Sequence, residues 1–484
     1  MRSLLVAGLV LLTAPAVAAA APGLEPAECW FDIPAGQEAE CAWLYPDERV
    51  GERAVRLPVV RLPGDEPGRP PVVHVPGGPG YPGGVDPASM AGWWRWRERA
   101  GWDGDLIVYD PRGTGMSRPA IRCPGIREAD RNGLARELSG AMDLYRTRRA
   151  ARDCYRRLGG EPYLSAFNSA AQVRDLGALL ETLQEPAFLW GVSYGTRLAL
   201  HAAREHQADI AGLLLDSVFP PAIDGFLMRP AQFDRALDEI ATACVTRAGC
   251  DHPPDHVRTA IRTLLARAER EPPRLTLSRP SGGGTLDLVV TDYRLLWMLF
   301  FGAYAIDDGG DVAAAVVRAA RDDTGALAPL ARRYVATLLD PAFSPPVYFS
   351  VSCPEDAPPV TRDAWEAALR AHPRVAPYLR AEAEYDVCGF WDAGRLPAAY
   401  REPASTPLPV LLLHGARDPA TLPEWAAGLA RRLPAARALL FRDAGHTVTF
   451  TDACAMAVAD AFLASPRAWS PPACLGERLQ AAYP

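Results

Sequence analysis

Apolar positions follow two rhythms along this chain, and the change of rhythm divides it. In the first, short unbroken runs recur: Val72–Val75, Leu106–Tyr109, Phe188–Val192, Gly212–Leu215, Val410–Leu413 and Leu439–Phe441. Runs so short and so uniformly apolar predict strands buried on both faces, as in a parallel sheet. A helical pattern over Ser169–Leu183 leads into the Phe188 run, and such alternation predicts a mostly parallel central sheet with helices on both faces. In the second rhythm, apolar residues return at helical spacing in Phe233–Ala243, His256–Ala268, Tyr293–Ala303 and Val312–Ala320. Pro272-Pro273 and Ser281-Gly282-Gly283-Gly284 interrupt that rhythm. The division that follows is an α/β core over 22–220, a mainly helical insertion over 221–404, and a return to the core over 405–484. The stripe Tyr293, Trp297, Phe300, Phe301 and Tyr304 reads as core of the insertion, with the lining of a channel as the alternative.

The first 21 residues stand apart. Met1-Arg2-Ser3 gives a positive start, Leu4 to Leu12 an apolar stretch too short to span a bilayer, and Ala16-Val17-Ala18 a small-residue cleavage site. This is the pattern of a secretory signal peptide over 1–21, and it predicts a secreted or periplasmic protein without stable membrane insertion. All 10 cysteines lie beyond it, an even number in an export-bound chain, so disulfides are expected. Pairing neighbours in order closes short loops: Cys29–Cys41, Cys123–Cys154, Cys244–Cys250, Cys353–Cys388 and Cys454–Cys474. A net charge of −7 and the absence of any basic run argue against nucleic acid as partner. Every basic residue apart from histidine is arginine, and no mechanism follows from that.

The chemistry begins where the Phe188 run meets Gly191-Val192-Ser193-Tyr194-Gly195. Strand, Gly-x-Ser-x-Gly and helix in succession predict a nucleophile elbow, a turn so tight that glycine is needed on both sides of the serine. It lifts the Ser193 hydroxyl above the strand ends and aims the Tyr194 amide at the same space. The Val72 strand runs into Pro76-Gly77-Gly78-Pro79-Gly80, where Gly78 is the expected second amide of an oxyanion hole. His74 is expected to buttress that loop by hydrogen bonding. The run Asp110-Pro111-Arg112-Gly113-Thr114-Gly115 follows another strand, and an Asp110–Arg112 pair is expected to lock the loop floor. Asp418 falls just past the Val410 strand and His446 follows the Leu439 strand in Ala444-Gly445-His446-Thr447. The chain order Ser193, Asp418, His446 fits a general base near neutral pKa oriented by a buried acid. His252 and His256 are spaced for a zinc pair, but no third ligand stands nearby; neither metal nor cofactor is expected.

Taken together, the segments His74 to Gly80, Asp110 to Ser117, Trp190 to Gly195, Leu214 to Val218, Gly415 to Thr421 and Gly445-His446 resemble those of prolyl iminopeptidases and secreted tripeptidyl aminopeptidases, within the α/β-hydrolases. Val75 and Pro76 separate His74 from the glycines, which is more similar to the secreted tripeptidyl branch; Leu422 departs from it, since proline usually follows the threonine there. The resemblance implies an α/β-hydrolase fold with a cap, and a serine aminopeptidase acting through an acyl-enzyme on peptides with a free amino terminus. It also implies a cap carboxylate for the substrate ammonium group. Glu355 is the expected anchor and Asp356 its neighbour, with loop acids or a helix cap as the plainer reading. A carboxylesterase or lipase using the same triad stays open, as does a silent binding protein; oligomeric state is not legible.

Overall fold

The computed structural model describes residues 22–65, 68–246, 252–279, 282–304, 309–384 and 387–479. The leader expected over 1–21 and the partner proposed for Cys244, Cys250, lie outside them. Nine strands form one sheet: β1 Gly23–Ala27, β2 Glu40–Tyr45, β3 Leu57–Leu62, β4 Val72–Val75, β5 Leu106–Tyr109, β6 Ala187–Val192, β7 Ile210–Asp216, β8 Val410–Gly415 and β9 Ala436–Phe441. Their order is β1-β2-β3-β5-β4-β6-β7-β8-β9. The first three strands pair antiparallel, β3 meets β5 antiparallel, and every pairing from β5 to β9 is parallel.

The continuous apolar runs have a direct cause in the pleat. Val73, Val75, Ile107, Leu189, Leu213, Leu215 and Leu412 point into one core. Their chain neighbours Val72, Leu106, Val108, Phe188, Trp190, Leu214, Leu411 and Leu413 point into another on the opposite face. With helices covering both faces, neither set can be polar. The chain between β7 and β8 builds a separate core from Phe233, Ile240, Val257, Leu296, Leu299 and Val316, with a small antiparallel hairpin, Arg274–Ser278 with Thr285–Val289.

Register fixes where the chemistry gathers. Gly191 of β6 lies opposite Val75 of β4, Val192 opposite Asp216 of β7, and Asp216 opposite Leu413 of β8. The loops after these strands therefore leave from one carboxyl edge, where ligands of parallel sheets collect. Four of the expected disulfides form: Cys29–Cys41, Cys123–Cys154, Cys353–Cys388 and Cys454–Cys474. The second clamps α1, Pro124–Leu134, to α2, Gly140–Leu158.

These bridges close loops of 12, 31, 35 and 20 residues, so each should contribute about 3 kcal/mol against the unfolded chain. A strong thiol reductant should lower the melting temperature by several degrees; an unchanged melting curve would contradict structural bridges.

Candidate active site

Ser193 joins β6 to α3, Tyr194–Glu205, and holds φ 55° and ψ −122°. A side-chain-bearing residue rarely occupies this region. The packing explains why it persists: a Cβ on Gly195 would lie 2.0 Å from the Val75 carbonyl oxygen, so α3 starts in contact with the end of β4. The oxyanion loop passes as closely. A Cβ on Gly77 would stand 3.2 Å from that of Ser193, and Gly78 has φ +119°.

The acid and base are joined. His446 Nδ1 donates to Asp418 Oδ2 at 2.8 Å, and both side chains are buried. Asp418 also accepts from the Ala420 amide at 2.8 Å, the Thr421 amide at 3.1 Å and the Thr421 hydroxyl at 2.6 Å. Burial alone would raise the Asp418 pKa, but the His446 charge and these hydrogen bonds hold it at about 2. Burial pulls the His446 pKa down, and the Asp418 charge and hydrogen bond, with Asp216 behind, outweigh it and leave it above its ordinary value. With Nδ1–H committed to Asp418, the second ring nitrogen, Nε2, is the one available as a base.

Asp216 ties the base loop to the elbow. Its backbone carbonyl accepts from the Ser193 amide at 2.9 Å. Its carboxylate accepts from the Val448 amide at 3.1 Å and the Thr449 amide at 2.8 Å. Ser217 adds a bond of 2.7 Å from the Thr447 amide to its hydroxyl. His414 braces the acid loop from beneath: its Nδ1 accepts from the Val218 amide at 3.2 Å, so Nε2 donates to the Thr421 carbonyl at 2.8 Å.

Three expectations change. Asp110 and Arg112 do not pair. Asp110 accepts from the Gly84 amide at 3.0 Å and the Met116 amide at 2.8 Å, while Arg112 turns to Asp175 at 2.6 Å and Glu48 at 2.9 Å. His74 packs rather than bonds: its ring lies edge-on to Trp93, Trp190 and Phe450, its Nδ1 has no partner, and burial drops its pKa to about 3. Glu355 and Asp356 are engaged by Arg197 and do not stand open for an ammonium group. Glu355, 1% exposed at the side chain, accepts from Arg197 at 2.7 Å, from the Tyr194 hydroxyl at 3.1 Å and from Ser169. Asp356 accepts from Arg197 and the Gly225 amide at 3.0 and 3.2 Å. Sequence alone did not reveal that Arg197 of α3 is buried and paired with both acids.

Next to the Pro76–Gly80 loop lies a cavity of about 370 Å³. Tyr81, which follows the oxyanion loop, is in its wall with Tyr293, Trp297 and Phe301 of α4, Asp292–Tyr304. Phe300 of the same stripe is packed in the insertion's core, and the Tyr304 ring rests edge-on against His446 with centroids 4.8 Å apart. The stripe is thus core and channel at once. The opposite wall comes from α1 and α2, which sequence reading did not connect with the site.

A sequence model of the alpha/beta hydrolase fold matches residues 70–453. Serine protease Hip1 of Mycobacterium tuberculosis (strain H37Rv) is 26% identical over 432 residues, covering 82% of this chain and 79% of its own. Tripeptidyl aminopeptidase of Streptomyces lividans is 26% identical over 402 residues, 78% and 71% of the two chains. Carboxylesterase B of Mycobacterium tuberculosis (strain H37Rv) is 25% identical over 379 residues, 72% and 68%.

Asp418→Asn keeps the shape but removes the charge that orients His446, and turnover should fall by roughly 10⁴-fold, measured as kcat on an activated ester. The pH dependence of kcat/KM should rise through a midpoint above 6.5, because the base works as neutral imidazole. Stability should move the other way. The raised His446 pKa stabilises fully below 6.5 and is lost as pH climbs through its folded value; the depressed Asp418 pKa stabilises above 3.8 and is lost towards about 2. Denaturant titrations comparing the parent with Asp418→Asn should show the largest difference between those limits.

Proposed function

Because the chain belongs to the alpha/beta hydrolase fold family, we propose that it is an exported serine hydrolase that removes N-terminal residues from peptides through an acyl-enzyme. The observation that carries the reading is the buried, charge-coupled Asp418–His446 pair, whose loop shares Asp216 as a hydrogen-bond partner with the strained Ser193. Ser193 attacks the scissile carbonyl, His446 takes its proton and returns it to the leaving amine, and Asp418 fixes the tautomer and balances the imidazolium. The amides of Gly78 and Tyr194 hold the oxyanion. Water then repeats the sequence on the acyl-enzyme, and neither metal nor cofactor enters these steps.

The peptidase reading draws support from the relatives named serine protease and tripeptidyl aminopeptidase, and from the cavity next to the oxyanion loop. Four disulfides support an oxidising destination, and no described helix is long and apolar enough to cross a membrane. The relative named Carboxylesterase B supports a second reading, in which the same residues cleave an ester.

The test is mass spectrometry of products from a mixed library of free and N-acetylated peptides, which also reads how many residues leave per cut. Free peptides should be shortened from their amino ends and acetylated ones spared. Equal turnover of both, or cleavage of esters alone, would overturn the aminopeptidase reading.

A further inference from the structure

On the flank of the sheet lies an open groove of about 740 Å³, which shares no wall residue with the cavity next to the oxyanion loop. Its charged lining is Arg53, Arg56, Arg118 and Arg122, and no carboxylate is among its wall residues. The cavity is built differently, with Asp143 joined to Arg294 and Glu382 to Arg229. In a chain of net charge −7, whose arginines are outnumbered by acids, such a wall does not arise from a general basic surplus.

Backbone pairing makes the crowding specific. Arg56, just before β3, and Arg118, after the loop that follows β5, face each other as an antiparallel bridge, each amide donating to the other's carbonyl at 2.9 Å. Residues directly opposite in such a pair share a face, and like charges there repel. The Arg118 guanidinium is held by the Met116 and Ser117 carbonyls at 2.7 and 3.0 Å, and that of Arg56 lies over the Trp43 ring at 4.6 Å. Arg53 comes from a small hairpin, Arg49–Val50 with Arg53–Ala54, and acts on Tyr163, whose ring packs against Phe167. Arg122 directly precedes Cys123, and the Cys123–Cys154 bridge ties that segment to α2, whose last residue, Leu158, is also in the wall.

Among the described residues none of the four arginines is ion-paired. Glu48, whose carbonyl accepts from the Val55 amide, has its carboxylate taken by Arg112 and Arg174 at 2.9 and 2.5 Å. Guanidinium groups fixed side by side with their forks unmatched suit oxyanions. A carboxylate brings one charge, whereas adjacent phosphoryl groups bring several in the same span and match the planar fork. We propose that this groove binds an anion carrying neighbouring phosphoryl groups, either free in solution or displayed as lipid headgroups at a surface. The site is separate from Ser193, Asp418 and His446 and does not depend on the hydrolase reading.

The experiment titrates tripolyphosphate into the full-length protein at low salt, read by calorimetry, with tricarballylate as a tricarboxylate control. The parent should bind tripolyphosphate at one site, at least about tenfold more tightly than tricarballylate, and more weakly as salt rises. Arg118→Gln/Arg122→Gln should weaken binding by at least about tenfold. Arg262→Gln/Arg270→Gln removes the same charge from exposed positions of the helix Pro254–Arg270 and should leave the affinity within about twofold. Melting curves check that each variant is folded. Arg122→Gln alone alters one exposed side chain with no hydrogen-bond partner among the described residues, and it should weaken binding by about threefold or more even if the double variant does not fold. Co-sedimentation with phosphatidylglycerol vesicles, against phosphatidylcholine vesicles, separates the two sources. Binding to the anionic vesicles that tripolyphosphate competes away identifies headgroups; tripolyphosphate binding without vesicle binding identifies a soluble anion. A parent that does not bind tripolyphosphate, equal affinity for tricarballylate, vesicle binding that tripolyphosphate leaves untouched, or equal losses in the two double variants would overturn the proposal.

Discussion

One buried carboxylate at the end of a strand keeps this site together. Asp216 is fully enclosed, so each of its oxygens must find a donor within the protein, and the donors are amides of the loop that carries His446 together with the Ser217 and Thr449 hydroxyls. Its backbone carbonyl meets the Ser193 amide from the other side. The elbow and the base loop come from strands far apart in sequence, yet both are referenced to the same residue. The acid loop joins through sheet register, since Leu413 lies beside Asp216 and the chain then turns towards Asp418. Geometry that must hold to fractions of an ångström is thus fixed by backbone groups, which have less freedom than side chains.

Charge balance explains the layer below. Arg197, on the first turn of α3, sits in a region without solvent and needs compensation. Glu355 and Asp356 reach it from α5, Pro345–Asp356, and Glu355 also accepts from the hydroxyl of Tyr194. The insertion is therefore coupled electrically to the residue whose amide is assigned to the oxyanion. The carboxylates that looked like an open filter form an internal joint between the two parts of the chain.

The sheet was legible because its signal is redundant: continuous apolar runs, glycine-rich turns and the order of serine, acid and base all pointed one way. The division of roles within Tyr293–Tyr304 was not, because helical spacing shows that a face is apolar without showing whether it meets protein or a void. Partner choice was equally hidden. Asp110 and Arg112 are two apart in sequence, yet each is bound by residues from elsewhere in the chain.

The torsion angles of Ser193 have a consequence beyond chemistry. At φ 55° and ψ −122° a hydroxymethyl group sits where glycine alone is comfortable, at a cost on the order of 1–3 kcal/mol. Substituting glycine relieves that strain and abolishes the nucleophile in one step. Reactivity and robustness thus pull against each other at this position, and a lineage that no longer needed the reaction would drift towards the sturdier, inert form.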